Sequence, residues 1–309
     1  MSFFPFSLES LPNLPMKPAA LSIFLLLAMP CLVQAQAVDA DAAYRAGKYE
    51  AALELYRKAR ETENQPGERQ RATAMIVRSL QALGRSSEAY QEFFTLCRIA
   101  PFAEHFTEHF DCIPLVWFTS RPFTPVAVTP DERLALQWIS PSTNPTGVDN
   151  PAASLLAASI LLSSPQADNR NRATRQLEQL TFSGNEAAQT RETVVRRQIA
   201  ILAQMQLRRL QITTLKEESE LVLWRSTLEN LPPSLRSGPW YVLGQAYDKL
   251  QNDEQAVLCW MRVPILFPEN RPLAARSLQE AAKALRRLHR TKEEQTLLDE
   301  LQRDYADLK

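Results

Sequence analysis

The apolar positions of this chain recur with helical spacing along most of its length. Trp240, Leu243, Gly244 and Tyr247 fall at i, i+3, i+4 and i+7, so they share one helix face. Ala256 and Trp260 continue the pattern after a short polar break. Pro268 closes the unit, because proline cannot extend the hydrogen-bond ladder. The same rhythm runs through 273–287 and 292–305, where Leu278, Leu285, Leu297, Leu298 and Leu301 make the apolar side and 288–291 the turn. Upstream, Gly47, Tyr49, Ala52, Tyr56 and Ala59 mark one helix pair, and Gly84, Ala89, Phe93 and Pro101 a second. Further helices are predicted at 131–139, 151–163, 169–181, 185–210 and 214–230. No segment alternates with period two over the length of a strand. The pattern predicts an all-α chain of helix hairpins.

The beginning of the chain reads differently. Residues 19–33 (AALSIFLLLAMPCLV) carry no charge, follow Lys17, and precede the small-residue sites Val33-Gln34-Ala35 and Ala35-Gln36-Ala37. A basic flank, a short apolar run and an A-x-A ending predict a secretory signal, residues 1–37, cleaved after Ala35 or Ala37. The run is too short for a bilayer, which needs ~20 residues, so no stable span is expected after cleavage. Residues 1–15 contain Glu9 and three prolines, unlike an export leader, and Met16-Lys17 reads as the true start. Pro30, directly before Cys31, lacks the small side chain that lipid attachment requires. The expected location is the periplasm or cell envelope.

The segment 237–270, with Trp240-x2-Leu243-Gly244-x2-Tyr247, Ala256, Trp260 and Pro268, resembles the tetratricopeptide repeat, a helix hairpin of about 34 residues. The 70–103 segment is a weaker copy, with Thr73 at the aromatic position and Val77 at the glycine position. The final pair has His289 where glycine is usual and Ala306 where proline is usual, as terminal repeats tolerate. The resemblance implies a tetratricopeptide-like solenoid. Its repeats would occupy 38–103 and 237–309, with divergent helix pairs at 151–236. A proline-rich, largely non-helical insert at 104–150 separates them; residues 101–151 hold eight of the 21 prolines.

Composition narrows the chemistry. Thirty-five Lys and Arg balance 35 Asp and Glu, so nothing in the net charge favours nucleic acid. Seven glycines leave no G-x-x-x-x-G-K-[ST], G-x-G-x-x-G or G-x-S-x-G loop. His105 and His109 would share a helix face with Asp111 or Cys112 near, but Phe106 stands where a metalloprotease needs glutamate, so no metal site and no cofactor is expected. Cys97 and Cys112 enclose a short loop; their spacing allows either a disulfide, as an exported chain can form, or two buried thiols. Cys259, beside Trp260, is expected to pack.

Tetratricopeptide proteins are non-catalytic scaffolds that hold peptides or proteins in a concave groove lined by the first helix of each pair. Carried onto this chain, the resemblance implies groove positions Tyr241, Gln245, Asp248 and Lys249 in the best repeat. It implies Arg71, Arg78 and Gln81 in the second, and Gln279 and Lys283 in the last. Arg71 and Arg78, two helical turns apart, are suited to an acidic tail. The expected function is an envelope interaction scaffold for a partner protein or peptide. Two other readings compete. The stretch 170–216 holds nine Lys and Arg against three Glu and suits an anionic wall polymer. An envelope enzyme would place its site within 104–236.

Overall fold

In a computed structural model, residues 39–99, 109–118, 128–139, 150–182 and 190–308 are described. The expected signal sequence, His105, Pro101 and much of the proline-rich insert lie outside these residues. Among the described residues every regular element is helical and none is a strand.

The chain opens with α1 (39–45), α2 (Tyr49–Thr62), α3 (Pro66–Ala82) and α4 (Ser86–Ile99). A 3-10 turn at Phe110–Cys112 leads into an extended run to Phe118. There follow α5 (Pro130–Ile139), α6 (Pro151–Leu161), α7 (Ala167–Phe182), α8 (Arg191–Gln211) and α9 (Ser219–Glu229). The chain ends with α10 (Ser237–Lys249), α11 (Asp253–Leu266), α12 (Arg271–Arg287) and α13 (Thr291–Asp304), then a 3-10 turn at Ala306–Leu308. From α2 to α4, from α5 to α8 and from α10 to α13, each helix packs chiefly on its neighbours in sequence. Within α2–α4, α6–α7 and α10–α13, turns of a few residues force each helix to run back along the one before it.

Four of these turns are built alike. Gly47, Gly84, Gln251 and His289 all have positive φ, near +60 to +73°. Each donates its amide to the carbonyl three residues back, and the next residue donates to the carbonyl five back: Lys48 to Ala43, Arg85 to Leu80, Asn252 to Tyr247 and Arg290 to Leu285. This pair of bonds is the Schellman ending of a helix, which needs one left-handed residue. Glycine adopts it without strain at two of the turns; Gln251 and His289 adopt it under the constraint of the packed helices.

The centre of the molecule is α6. Every residue of PAASLLAASIL is buried, as its charge-free composition requires. Asn150 caps it, accepting from the amides of Ala152 and Ala153 at 3.1 and 3.2 Å. In the best repeat, the Trp260 indole meets Gly244, where the repeat pattern implies the small Ala256. A Cβ at Gly244 would stand 2.5 Å from Trp260 Nε1, which donates to the Tyr241 carbonyl at 3.2 Å.

The last hairpin returns to the first. Arg271 pairs with Asp307 at 2.6 Å and reaches the Ala82 carbonyl at 3.4 Å. Leu308 covers Gly84, where an added Cβ would lie 3.1 Å from its side chain. The helix array therefore closes on itself.

Candidate functional site

Closing the array encloses a partly open cavity of about 700 Å³. Its walls come from both ends of the sequence: Tyr44, Arg78 and Gln81 from the first hairpins, and Asn270 and Leu273 from the last. One wall is the extended run Ile113–Phe118. Burial pushes the Tyr44 hydroxyl up to about 12, and that of Tyr90, also on the wall, to about 12, so both face the cavity as neutral donors.

The groove positions implied by the resemblance divide into two sets. Arg71, Arg78, Tyr241 and Asp248 are engaged within the chain. Arg71 binds Asp41 at 2.5 Å, and Arg78 binds Asp111 at 2.6 Å. Burial disfavours the Arg78 charge, but Asp111 and, to a smaller extent, Cys112 and Tyr44 together outweigh this, and the Arg78 proton is held more tightly than usual. The acidic groups these arginines grip are thus the chain's own. Tyr241 is buried; its hydroxyl accepts from Gln245 at 3.4 Å and bonds with Arg276. Asp248 pairs with Arg287, which also holds Asp253. Gln81 faces the cavity, Lys249 and Lys283 are exposed, and Gln279 is half-buried. Lys283 lies 3.0 Å from Glu280.

The extended run was not foreseen as part of the site. Asp111 precedes it on Arg78. The Val116 amide donates to Ser159 Oγ at 3.3 Å, and the Val116 carbonyl accepts from Gln206 at 3.1 Å and Arg209 at 2.7 Å. The Trp117 ring fills the space beside Gly238, where a Cβ would come within 1.8 Å of it. Phe118 meets the Tyr241 ring edge-on at 6.1 Å. Its aromatic content was the signal available in the sequence; the partners lie too far along the chain for any local pattern to name them.

The basic stretch is partly drawn inward. Arg170 donates to the carbonyls of Ser164 and Pro165, and Arg208 is buried against Trp224, 5.2 Å from the ring centre. Burial lowers the pKa of both Arg208 and Arg209 to about 10. Arg172, Arg175, Arg197 and Lys216 are exposed. Cys97 and Cys112 are buried free thiols, near enough that a charge on Cys112 raises the pKa of Cys97, and Cys259 is a third. Burial pushes Cys112 and Cys259 up to about 12 and Cys97 well above its ordinary value. Among the described residues no three His, Cys, Asp or Glu side chains converge as metal ligands, and no helix is long and apolar enough to cross a membrane.

Comparison with known protein families returns no match, and comparison with curated proteins returns none either.

Proposed function

We propose that this protein is a tetratricopeptide-like scaffold of the cell envelope that holds a partner protein or peptide on the inner face of its helix array. The observation that carries the reading is the turn common to four hairpins. The same left-handed residue and the same two bonds recur at Gly47 and Gly84, and again at Gln251 and His289. Hairpins repeated in this way stack into arrays whose inner faces serve as extended binding surfaces. The Trp260 indole seated over Gly244 supports the same assignment, because the missing side chain there lets α11 approach α10 closely.

The groove positions suit polypeptide chemistry. Two of their arginines already hold carboxylates, Arg71 with Asp41 and Arg78 with Asp111. Gln81 on the cavity wall, and Lys249, Gln279 and Lys283 outside that wall, offer amide and ammonium donors for a further chain. The reading is non-catalytic and calls on no cofactor. The uncharged stretch 19–33 and the small residues after it support export.

Cross-linking of the tagged full chain in the envelope of its producing cell, followed by mass spectrometry, tests this. A stoichiometric protein partner is expected, with recovery at least tenfold lower for Gln279→Ala/Lys283→Ala. Equal recovery by that variant would displace the partner from the inner face. Salt-sensitive retention on wall polymer with no protein partner would overturn the scaffold in favour of a polymer binder.

A further inference from the structure

The run from Asp111 to Phe118 sits in the array as a bound peptide sits in a receptor. Its backbone makes few bonds of its own; the Val116 carbonyl is held instead by side chains of α8, Gln206 at 3.1 Å and Arg209 at 2.7 Å. The Val116 amide is held by Ser159 of α6 at 3.3 Å. Two donors on one carbonyl recognise a backbone whatever its sequence. The ends add sequence preference. Asp111 is gripped by Arg78 of α3 at 2.6 Å, and Trp117 enters the space that Gly238 of α10 leaves open.

Two further features mark this run. Ile113 and Trp117 pack into the core, yet the run lines the 700 Å³ cavity from Ile113 to Phe118, and Leu115, Val116 and Phe118 are only half-buried. Among the described residues no carboxylate pairs with Arg209, whose charge burial disfavours; it donates instead to the Val116 carbonyl at 2.7 Å, to Gln206 Oε1 at 2.6 Å and to Ser163 Oγ at 3.5 Å. Emptying the place of Val116 would take one of these acceptors from a buried cation, which favours a backbone there.

We propose that the inner face of α3, α6, α8 and α10 is a receptor for an extended peptide with an acidic residue followed, six and seven positions later, by a tryptophan–phenylalanine pair. Residues 111–118 fill it as a ligand in cis. An outside partner of the same chemistry enters by displacing them. The inference rests on the peptide-holding reading above and specifies what is held and what stands in its way.

The test is a fluorescein-labelled peptide of residues 110–118 carrying Cys112→Ser, titrated against the full chain and followed by anisotropy. The Trp117→Ala/Phe118→Ala chain, with its own ligand weakened, is expected to bind at least tenfold more tightly than the unaltered chain. Adding Gly238→Ala, whose Cβ closes the tryptophan slot, is expected to return binding to the unaltered level. Equal affinities, no binding by either chain, or tight binding that survives Gly238→Ala would overturn the proposal. If circular dichroism finds the double variant unfolded, Asp111→Asn carries the test, since it loosens only the Arg78 end. At least threefold tighter binding is then expected, and an unchanged affinity overturns the proposal. An envelope partner that the peptide fails to compete away refutes this inference alone; tight peptide binding with no envelope partner refutes the scaffold role alone.

Discussion

A methyl group added at Gly244 would stand 2.5 Å from the Trp260 indole nitrogen, and the indole cannot yield because its Nε1 is bonded to the Tyr241 carbonyl. Gly244→Ala is therefore expected to cost roughly 1–3 kcal/mol, seen as a lower urea midpoint with an unchanged slope. A second outcome at this scale concerns the thiols. Cys112 and Cys259 hold their protons to about pH 12, whereas in the unfolded chain a thiol loses its proton near 9.0. Between those values the folded state binds more protons, so stability falls as pH rises above about 9. Arg208 and Arg209, lowered to about 10, act in the opposite direction from there upward. The fall is thus expected to be clearest from pH 8 to 10, and Tm measured across that range should decline less steeply in Cys112→Ala. Gly244 was legible because a glycine at i+4 on an apolar face has few other uses. The left-handed turns at Gln251 and His289 were less so, since neither side chain favours them.

Among the elements, α6 depends most on its surroundings. Its amino end is buried, so the amides there must be met by protein, and Asn150 meets two of them while its own amide reaches the Cys97 carbonyl at 3.5 Å. Asn150→Ala leaves these groups unanswered and is expected to cost about 1–3 kcal/mol in thermal unfolding, more than an exposed cap would. Thr129 and Glu132 form the reciprocal box that starts α5, at 3.2 and 2.9 Å, which matches the helix expected after Pro130. Helix placement was largely readable from apolar spacing and prolines. The path of 109–118 was not, because its bonds go to Ser159, Gln206 and Arg209, and no short-range period encodes a contact 90 residues away.

At the scale of the whole molecule, closure rests on a small number of groups. Arg271 joins Asp307 at 2.6 Å, the Asp304 carbonyl at 2.8 Å and the Ala82 carbonyl at 3.4 Å, and so links the last hairpin to α3. Arg271→Ala is expected to cost about 1–2 kcal/mol and to open the array, raising the radius of gyration in small-angle scattering. An unchanged radius would mean that Leu308 and Pro272 hold the closure alone. The sequence by itself determined the helices and where their turns fall, because these depend on residues within one or two turns of each other. Tertiary structure alone decided that the array closes, that Arg71 and Arg78 spend their charge on Asp41 and Asp111, and that the inner face is lined by the chain's own extended segment. Those outcomes depend on which distant surfaces meet, and burial, charge pairing and backbone satisfaction select among such meetings only once the whole chain has folded.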